Sequence, residues 1–357
     1  MGLRIIDRYI GRTVLTMIVI ASVVLCLIAG IITFIDQTRH LGDGDIDFWF
    51  LVTYVALRMP SLFVMLFPIS VLLGGVIGLG LLSKNSELVV MQSSGLSKTQ
   101  IILSSCKIIF PLILLVSLIG QLVVPEVQQY AENRYNYAES GGKVSITNWG
   151  LWLRDGNDFI SVRRVMSDNS IHGVTRFQFD GIDLRKVSYA ALGVYNPENK
   201  KWDFFNVEST IYGDRNITKY KRSMEQWELY LNPERMEIFS FHSSDLSVPD
   251  LIDYIHYLED NNIESARYRT ELYKKFVLPV AMVVMLLLGA STVFGSLRSV
   301  PMSARVLFGL VLGFLFYITN EILPNFTYLV GLPPILGVAI PTLFFLLLSL
   351  LLLNRKV

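Results

Sequence analysis

Four histidines and two cysteines are the scarce chemistry-bearing residues in this 357-residue chain. His40, His172, His242 and His256 are scattered without metal-ligand spacing. Cys26 and Cys106 fall in or beside apolar runs, which suits buried small hydrophobes and offers neither a disulfide framework nor a metal site. HExxH and GxSxG do not occur, and GLGLLSK at 78–84 lacks the second glycine that a phosphate-cradling loop needs before its lysine. This inventory performs no covalent step, so the expectation is a non-catalytic chain with no cofactor or metal of its own. A different chemistry, recognition, is written into SKNSELVVMQSSGLSKTQ at 83–100. Leu88, Val89, Met91 and, one turn on, Leu96 make a mostly apolar helical face, with Lys84, Glu87 and Gln92 as polar positions. Such a helix suits a bilayer surface or a groove on a soluble partner, and the residues alone leave both open. Gly95 reads as a helix C-cap and Ser97 as the start of the next helix.

The elements that hold this segment are membrane spans. The chain is 52% hydrophobic and 17% charged, where soluble domains carry about 25% charge. A net charge of +1 gives no footing for nucleic acid. Stretches long enough to cross a core of about 30 Å are Thr13–Ile35, about Pro60–Leu82 after a short interfacial stretch, Ile108–Val124, Phe276–Leu297, Val306 to about Leu323, and Ile335–Leu353. Pro68 is expected to kink the second, and Lys107 to snorkel at the start of the third. The first apolar run is too long for a cleavable signal and reads as a retained anchor. GGVIG at 74–78 is a GxxxG pattern expected to serve packing within the chain. Glu321, near the end of the fifth span, reads as interfacial. Nine Lys and Arg lie in one set of short segments, against Arg39 alone in the other. Both termini and the 83–100 segment are therefore expected in the cytoplasm, with the large insert outside.

That insert alternates as strands do over 143–230. GLWLRDGNDFISVRRV is a hairpin pattern around DG, and a second surrounds NPENK. Many short strands point to a sandwich or jellyroll. Ser247 and Asp250 form a capping box for a following helix, and ESARYRTELYKKF is a second helix leading into span four. The expected organisation is thus membrane α-helical with a β insert: 1–124 with three spans and a polar-apolar helix at about 84–97, 125–273 with the β domain and connecting helices, and 274–357 with three more spans.

Five blocks carry a resemblance: IDRYIG at 6–11, SELVVMQSSG at 86–95, GLWLRDGNDFI at 150–160, FGSLRSVPM at 294–302 and GLPPILGVAIP at 331–341. Together they resemble the lipopolysaccharide-export permeases of the LptF/LptG family over nearly the whole chain, with the LptG branch nearer. The resemblance implies six transmembrane helices with a periplasmic β-jellyroll between the third and fourth. It implies a coupling helix, carried by Ser86, Glu87, Leu88, Val89, Met91 and Gly95, gripped by a separate LptB ATPase homodimer that binds the ATP and magnesium. It further implies an LptF-like permease as heterodimer partner, LptC, the LptA bridge, and lipopolysaccharide as substrate. Phe34, Arg39, His40 and Arg134 are its headgroup-side candidates, with Thr33 standing where a lysine is expected. Leu62, Phe67, Phe314 and Tyr317 are its acyl-tail candidates, and Trp152 and Phe159 mark a path through the β domain. The alternatives are the paralogous LptF subunit and a mechanotransmission-type permease acting on a periplasmic partner.

Overall fold

The computed structural model describes residues 5–139, 151–155, 157–165, 170–197, 199, 201–213, 216–227, 246–261, 263–294 and 301–354. Its helices are α1 (Ile5–Gln37), α2 (Phe48–Lys84), α3 (Glu87–Ser93), α4 (Lys98–Leu122), α5 (Val124–Glu139), α6 (Val248–Asp260), α7 (Ala266–Phe294), α8 (Met302–Leu329) and α9 (Pro334–Asn354). Six segments are long and apolar enough to cross a membrane: α1, α2, α4 continuing into α5, α7, α8 and α9. Their outward faces stay apolar. Val19, Val23, Leu27 and Ile31 on α1 and Leu343, Leu347 and Leu351 on α9 are all exposed, as lipid or a partner helix requires.

Three expectations about the spans change. The stretch before Pro60 is no separate interfacial piece. Asp47 caps α2 by accepting from Phe50 N, and the helix then runs unbroken through Pro60 and Pro68. A packed membrane bundle tolerates the two lost backbone bonds that would end a helix in water. Lys107 does not simply snorkel: it pairs with the buried carboxylate of Asp7 at 3.4 Å, which also accepts from Ser104, so α4 is tied to the start of α1. The connecting helix expected before span four and the span itself are one element, α7, and the expected end at Leu297 lies outside the described residues.

Small residues set how closely the bundle closes. A methyl on Gly74 would lie 2.6 Å from Ile18 Cα, and one on Gly78 2.8 Å from Val14 Cα, so GGVIG seats α1 directly on α2. On the opposite side of α2, a methyl on Gly289 of α7 would lie 2.7 Å from the Leu72 carbonyl. The motif therefore packs helices of one chain, as small residues do where the backbone must approach closely. The core runs from Ile10, Val14 and Ile18 through Phe67, Val71 and Leu79 to Met282 and Leu286.

The insert holds strands β1 (Leu151–Asp155), β2 (Asp158–Val165), β3 (Ile171–Asp180), β4 (Asp183–Asn196), β5 (Lys201–Tyr212) and β6 (Ile217–Trp227). They form one antiparallel sheet in chain order, with both expected hairpins present: Asp155 faces Asp158, and Asn196 faces Lys201. The sheet is sharply folded. Gly173 and Asn206 have φ of +64° and +53°, and register places both opposite residue 191 of β4. Across that row the buried face switches: Val174, Ala190 and Val207 are buried on one side of it, and Ile171, Gly193 and Phe204 on the other. Lys186 Nζ lies 3.4 Å from Glu225 Oε1. Their register partners on β5, Ile211 and Phe204, are seven residues apart, about 24 Å on a flat strand. Arg176 reaches over the Trp227 ring at 5.7 Å across the same kind of span. Ile160, Val162, Val174 and Val207 from one half thus share a core with Ile171, Trp202, Phe204 and Trp227 from the other. This sandwich, its two layers made from the same strands, is the jellyroll expected of the insert. Hydrogen bonds from Ser209 and then Lys186 hold the Tyr220 phenol below its ordinary pKa.

The β domain is tied back to the helices by α6. Its capping box, Ser247 with Asp250, is the expected one, and Tyr257 Oη donates to the Arg154 carbonyl at 2.9 Å. Residues 143–150 and 228–230 of the strand-like stretch lie outside the described residues.

Candidate functional site

The recognition segment folds as expected in its chemistry and differently in its facing. Ser86, in the left-handed region at φ +60°, turns the chain sharply out of α2 into the short helix α3. At the other end Gly95, at φ +94°, closes it: Leu96 N donates to Met91 O at 3.1 Å and Gly95 N to Gln92 O at 3.0 Å, the paired bonds of a Schellman cap. Ser97 and Gln100 then cap α4 reciprocally.

Within α3, Leu88 is only 3% exposed and packs into the bundle core with Leu82, Ile101 and Ile102. The expectation that it faces outward as an anchor is corrected: it pins α3 to its own chain. Met91 and Leu96 lie against the same core. The outward apolar surface is Val89 with Val90, the latter 61% exposed and not among the residues expected. Reading apolar identity along seven residues cannot phase a helix that is buried on one side. Glu87 is held from its own chain, accepting from Tyr9 Oη at 2.7 Å and from Asn85 Nδ2 at 3.3 Å.

The cationic candidates gather at the β-domain end of the bundle. Arg39, on the exposed turn after α1, sits 3.8 Å from Asp36, and His40 3.4 Å from Asp43. The His40 ring meets Tyr135 edge-on at 6.2 Å, while Arg134, the preceding residue on α5, lies over Phe50 at 5.5 Å. Phe34 packs against Phe48 at 5.7 Å beneath the same corner. His40, Arg134 and Phe34 are thus brought together around α5 and the start of α2, and Arg39 stays out in solvent.

The tail candidates divide. Phe67 is 2% exposed, its ring tilted against Phe63 at 5.3 Å in the core, and offers nothing to an outside ligand. It is corrected to a packing residue, because its face of α2 is the one covered by neighbouring helices. Phe314 is 57% exposed on α8, Leu62 is half-buried on α2, and Tyr317 turns inward to a crevice between helices. In the β domain Trp152 and Phe159 share the outer face: Trp152 stacks on Phe177 at 5.8 Å, and Phe159 meets Phe179 at 5.7 Å. Both are exposed, so they lie on the sandwich's surface and not between its layers, as an interior path would require. Among the described residues no cluster of His, Cys, Asp and Glu could hold a metal.

The sequence profile of the family described as "Lipopolysaccharide export system permease LptF/LptG" matches residues 8–355. The chain belongs to the LptF/LptG family. Similar members include the lipopolysaccharide export system permease protein LptG of Escherichia coli K12, 37% identical over 99% of this chain and 98% of that one. The LptG protein of Haemophilus influenzae is 36% identical over 98% of each. An LptF/LptG-family assignment fits what the geometry provides: a multi-pass helical bundle, a β domain inserted between its third and fourth spans, and a short capped helix presenting Val89 and Val90 between the second and third.

Proposed function

We propose that the chain is the LptG-type permease subunit of a lipopolysaccharide export transporter. The observation that carries this reading is the end-to-end kinship with LptG proteins, at 36–37% identity over 98–99% of the chain. The reading extends to orientation. The basic segments, with both termini and α3, lie in the cytoplasm, and the β domain lies in the periplasm. It also extends to partners. An LptB ATPase dimer binds ATP and magnesium and grips α3 through Val89, Val90 and the rim carboxylate of Glu87. An LptF-like chain faces the exposed side of α1 and α8, with Leu62 and Phe314 toward the shared cavity. LptC and LptA receive the lipopolysaccharide beyond the β domain. Headgroup phosphates are met by Arg134 at the corner it shares with His40 and by Arg39 on the exposed turn beside it, since charge-assisted contacts to phosphate are the strong ones.

Mechanically, α3 is fastened to the bundle by Leu88 and to α1 by the Tyr9–Glu87 hydrogen bond. A push on Val89 and Val90 therefore reaches α1 and α2 together, and α1 is seated on α2 by GGVIG. The test is reconstitution of the four-component complex in proteoliposomes. ATP-dependent release of lipopolysaccharide to LptA is expected with the wild-type chain and not with Val90→Asp. Release that persists unchanged without the chain overturns the reading.

A further inference from the structure

A crevice of about 440 Å³ opens between α2, the α4–α5 helix pair, α7 and α8, at the end of the bundle nearest the β domain. Its size is that of a small-ligand site. Of the four tail candidates it takes in Tyr317 alone and leaves out Leu62, Phe67 and Phe314, so the outward tail surface of Leu62 and Phe314 lies elsewhere.

Its walls change character with depth. Along α2 the lining runs from Arg58 to Pro68 and Ile69, about 16 Å at 1.5 Å per residue. On α7 it runs from Glu271, Lys274 and Lys275 to Leu278 and Ala281, and on α8 from Glu321 and Asn320 to Phe316. These three helices contribute polar groups at the mouth and apolar ones below, while α4 adds Gln121 and Ser117, the Ser117 hydroxyl being spent on the Ile113 carbonyl. A cavity polar at one end and mostly apolar along its length is the negative of one amphiphile. A water-filled cleft or a sugar site would be polar throughout.

The mouth has unmet bonding capacity of both signs. Lys274 is neutralised by Glu271 at 3.1 Å and Glu321 at 3.6 Å. Arg58 donates to the Tyr54 hydroxyl at 3.3 Å and lies over that ring at 5.6 Å, and no carboxylate pairs with it among the described residues. A guanidinium with most of its five donors unspent is a phosphate ligand. Gln128, 3% exposed, lines the same crevice. Its Nε2 donates to Glu132 at 3.4 Å, which fixes the amide's direction, and its buried Oε1 then has no hydrogen-bond donor. Whatever fills the crevice should bring an acceptor-rich anion for Arg58 and an N–H or O–H for Gln128.

We propose that this crevice binds one bilayer glycerophospholipid whose headgroup carries a hydrogen-bond donor. The phosphate sits on Arg58 at the mouth, the headgroup ammonium or hydroxyl donates to Gln128 Oε1, and an acyl chain descends along Pro68, Leu278 and Phe316. Phosphatidylethanolamine and phosphatidylglycerol share this chemistry, and phosphatidylcholine lacks the donor.

The test uses the full chain in its membrane complex, incubated with vesicles of each single phospholipid and read by native mass spectrometry. A photoreactive side chain at Met65, which lines the crevice, reports where the lipid sits. One phosphatidylethanolamine or phosphatidylglycerol per chain is expected to be retained, crosslinked at 65. Arg58→Gln should weaken retention roughly ten- to hundredfold. Ser61→Trp should block it while leaving every charge in place. Gln128→Leu should erase the preference over phosphatidylcholine and raise the melting temperature of the lipid-free protein. Equal retention of phosphatidylcholine in the wild type, or crosslinking at 65 that survives both Arg58→Gln and Ser61→Trp, overturns the proposal. So does occupation of the crevice by lipopolysaccharide in place of phospholipid. If Arg58→Gln does not assemble, Ser61→Trp and Gln128→Leu decide the matter.

Discussion

Leu88 and Val90 stand two residues apart in the same short helix and face opposite ways, which makes them a matched pair for experiment. Leu88→Asp puts a charge into a core position. Its cost begins at the roughly 2–5 kcal/mol of truncating a buried leucine and adds the penalty of burying a carboxylate. The expected outcome is loss of folded chain, seen as reduced yield and an early melting transition. Val90→Asp, on the exposed side, should leave melting unchanged and abolish ATPase co-purification. If Val90→Asp complexes retain the ATPase at wild-type levels, α3 is not the docking helix. Tyr9→Phe removes the hydrogen bond to Glu87 and keeps the ring. It should leave the ATPase bound while lowering lipopolysaccharide released per ATP hydrolysed. At this scale the residue types of the segment were legible and their directions were not. SELVVMQSSG announces an amphipathic helix closed by Gly95, with Ser97 opening the next helix, and both are present. Which apolar residue turns inward depends on where Ile101 and Leu82 lie, and no local pattern encodes that. The same limit placed Phe67 among ligand contacts when it belongs to the core.

Among elements, hydropathy identified all six spans, because a bilayer leaves no other home for about twenty apolar residues. Their ends were harder. Pro60 looks like a helix start in a soluble-protein grammar, yet α2 begins at Phe48, because neighbouring helices compensate the missing backbone bond. Span four similarly extends back to Ala266, where polar residues continue one helix beyond the apolar stretch. GGVIG was legible as a close-packing motif, and its counterpart Gly289 on α7 was not, since nothing near it in sequence repeats the spacing. Both can be tested together. Gly74→Leu should wedge α1 off α2, and Gly289→Leu should wedge α7 off its other side. Each is expected to cost roughly 1–3 kcal/mol by overpacking, read as a fall in melting temperature in detergent. Gly42→Leu, at a turn where a side chain meets nothing within 4 Å but φ is +97°, separates backbone strain from crowding. It should cost no more than the roughly 1–2 kcal/mol of a left-handed residue.

For the whole molecule, the two halves of the β sheet are held face to face by Lys186 with Glu225 and by Arg176 with Trp227. The Lys186–Glu225 side chains are 22% and 16% exposed, and the second carboxylate oxygen of Glu225 lacks a hydrogen-bond partner. Lys186→Met strands that charge and should destabilise the domain by about 3 kcal/mol, the low end for a broken buried pair because this one is partly wet. Adding Glu225→Met should restore most of the loss, since two well-packed apolar side chains often match a buried ion pair. Hydrogen exchange at β4 and β6 measures both; a double variant as labile as the single one would sink the argument. Orientation is tested at the same scale. A periplasm-dependent reporter inserted at Ile182, at the exposed tip between β3 and β4, should be active, and one inserted at Asn85 should be silent.

The crease through Gly173 and Asn206 has one more implication. In an ordinary sandwich the layers are separate sheets, and prying them apart frees strands to slip. Here each of β3, β4 and β5 is continuous through both layers, like pages bound at one spine. Spreading the covers leaves every rung between neighbouring strands in place, because pairing runs across the pages and not between the covers. Only side-chain contacts such as Arg176 with Trp227 part, and they re-form when the covers shut. A sandwich built this way can part its layers without losing its register.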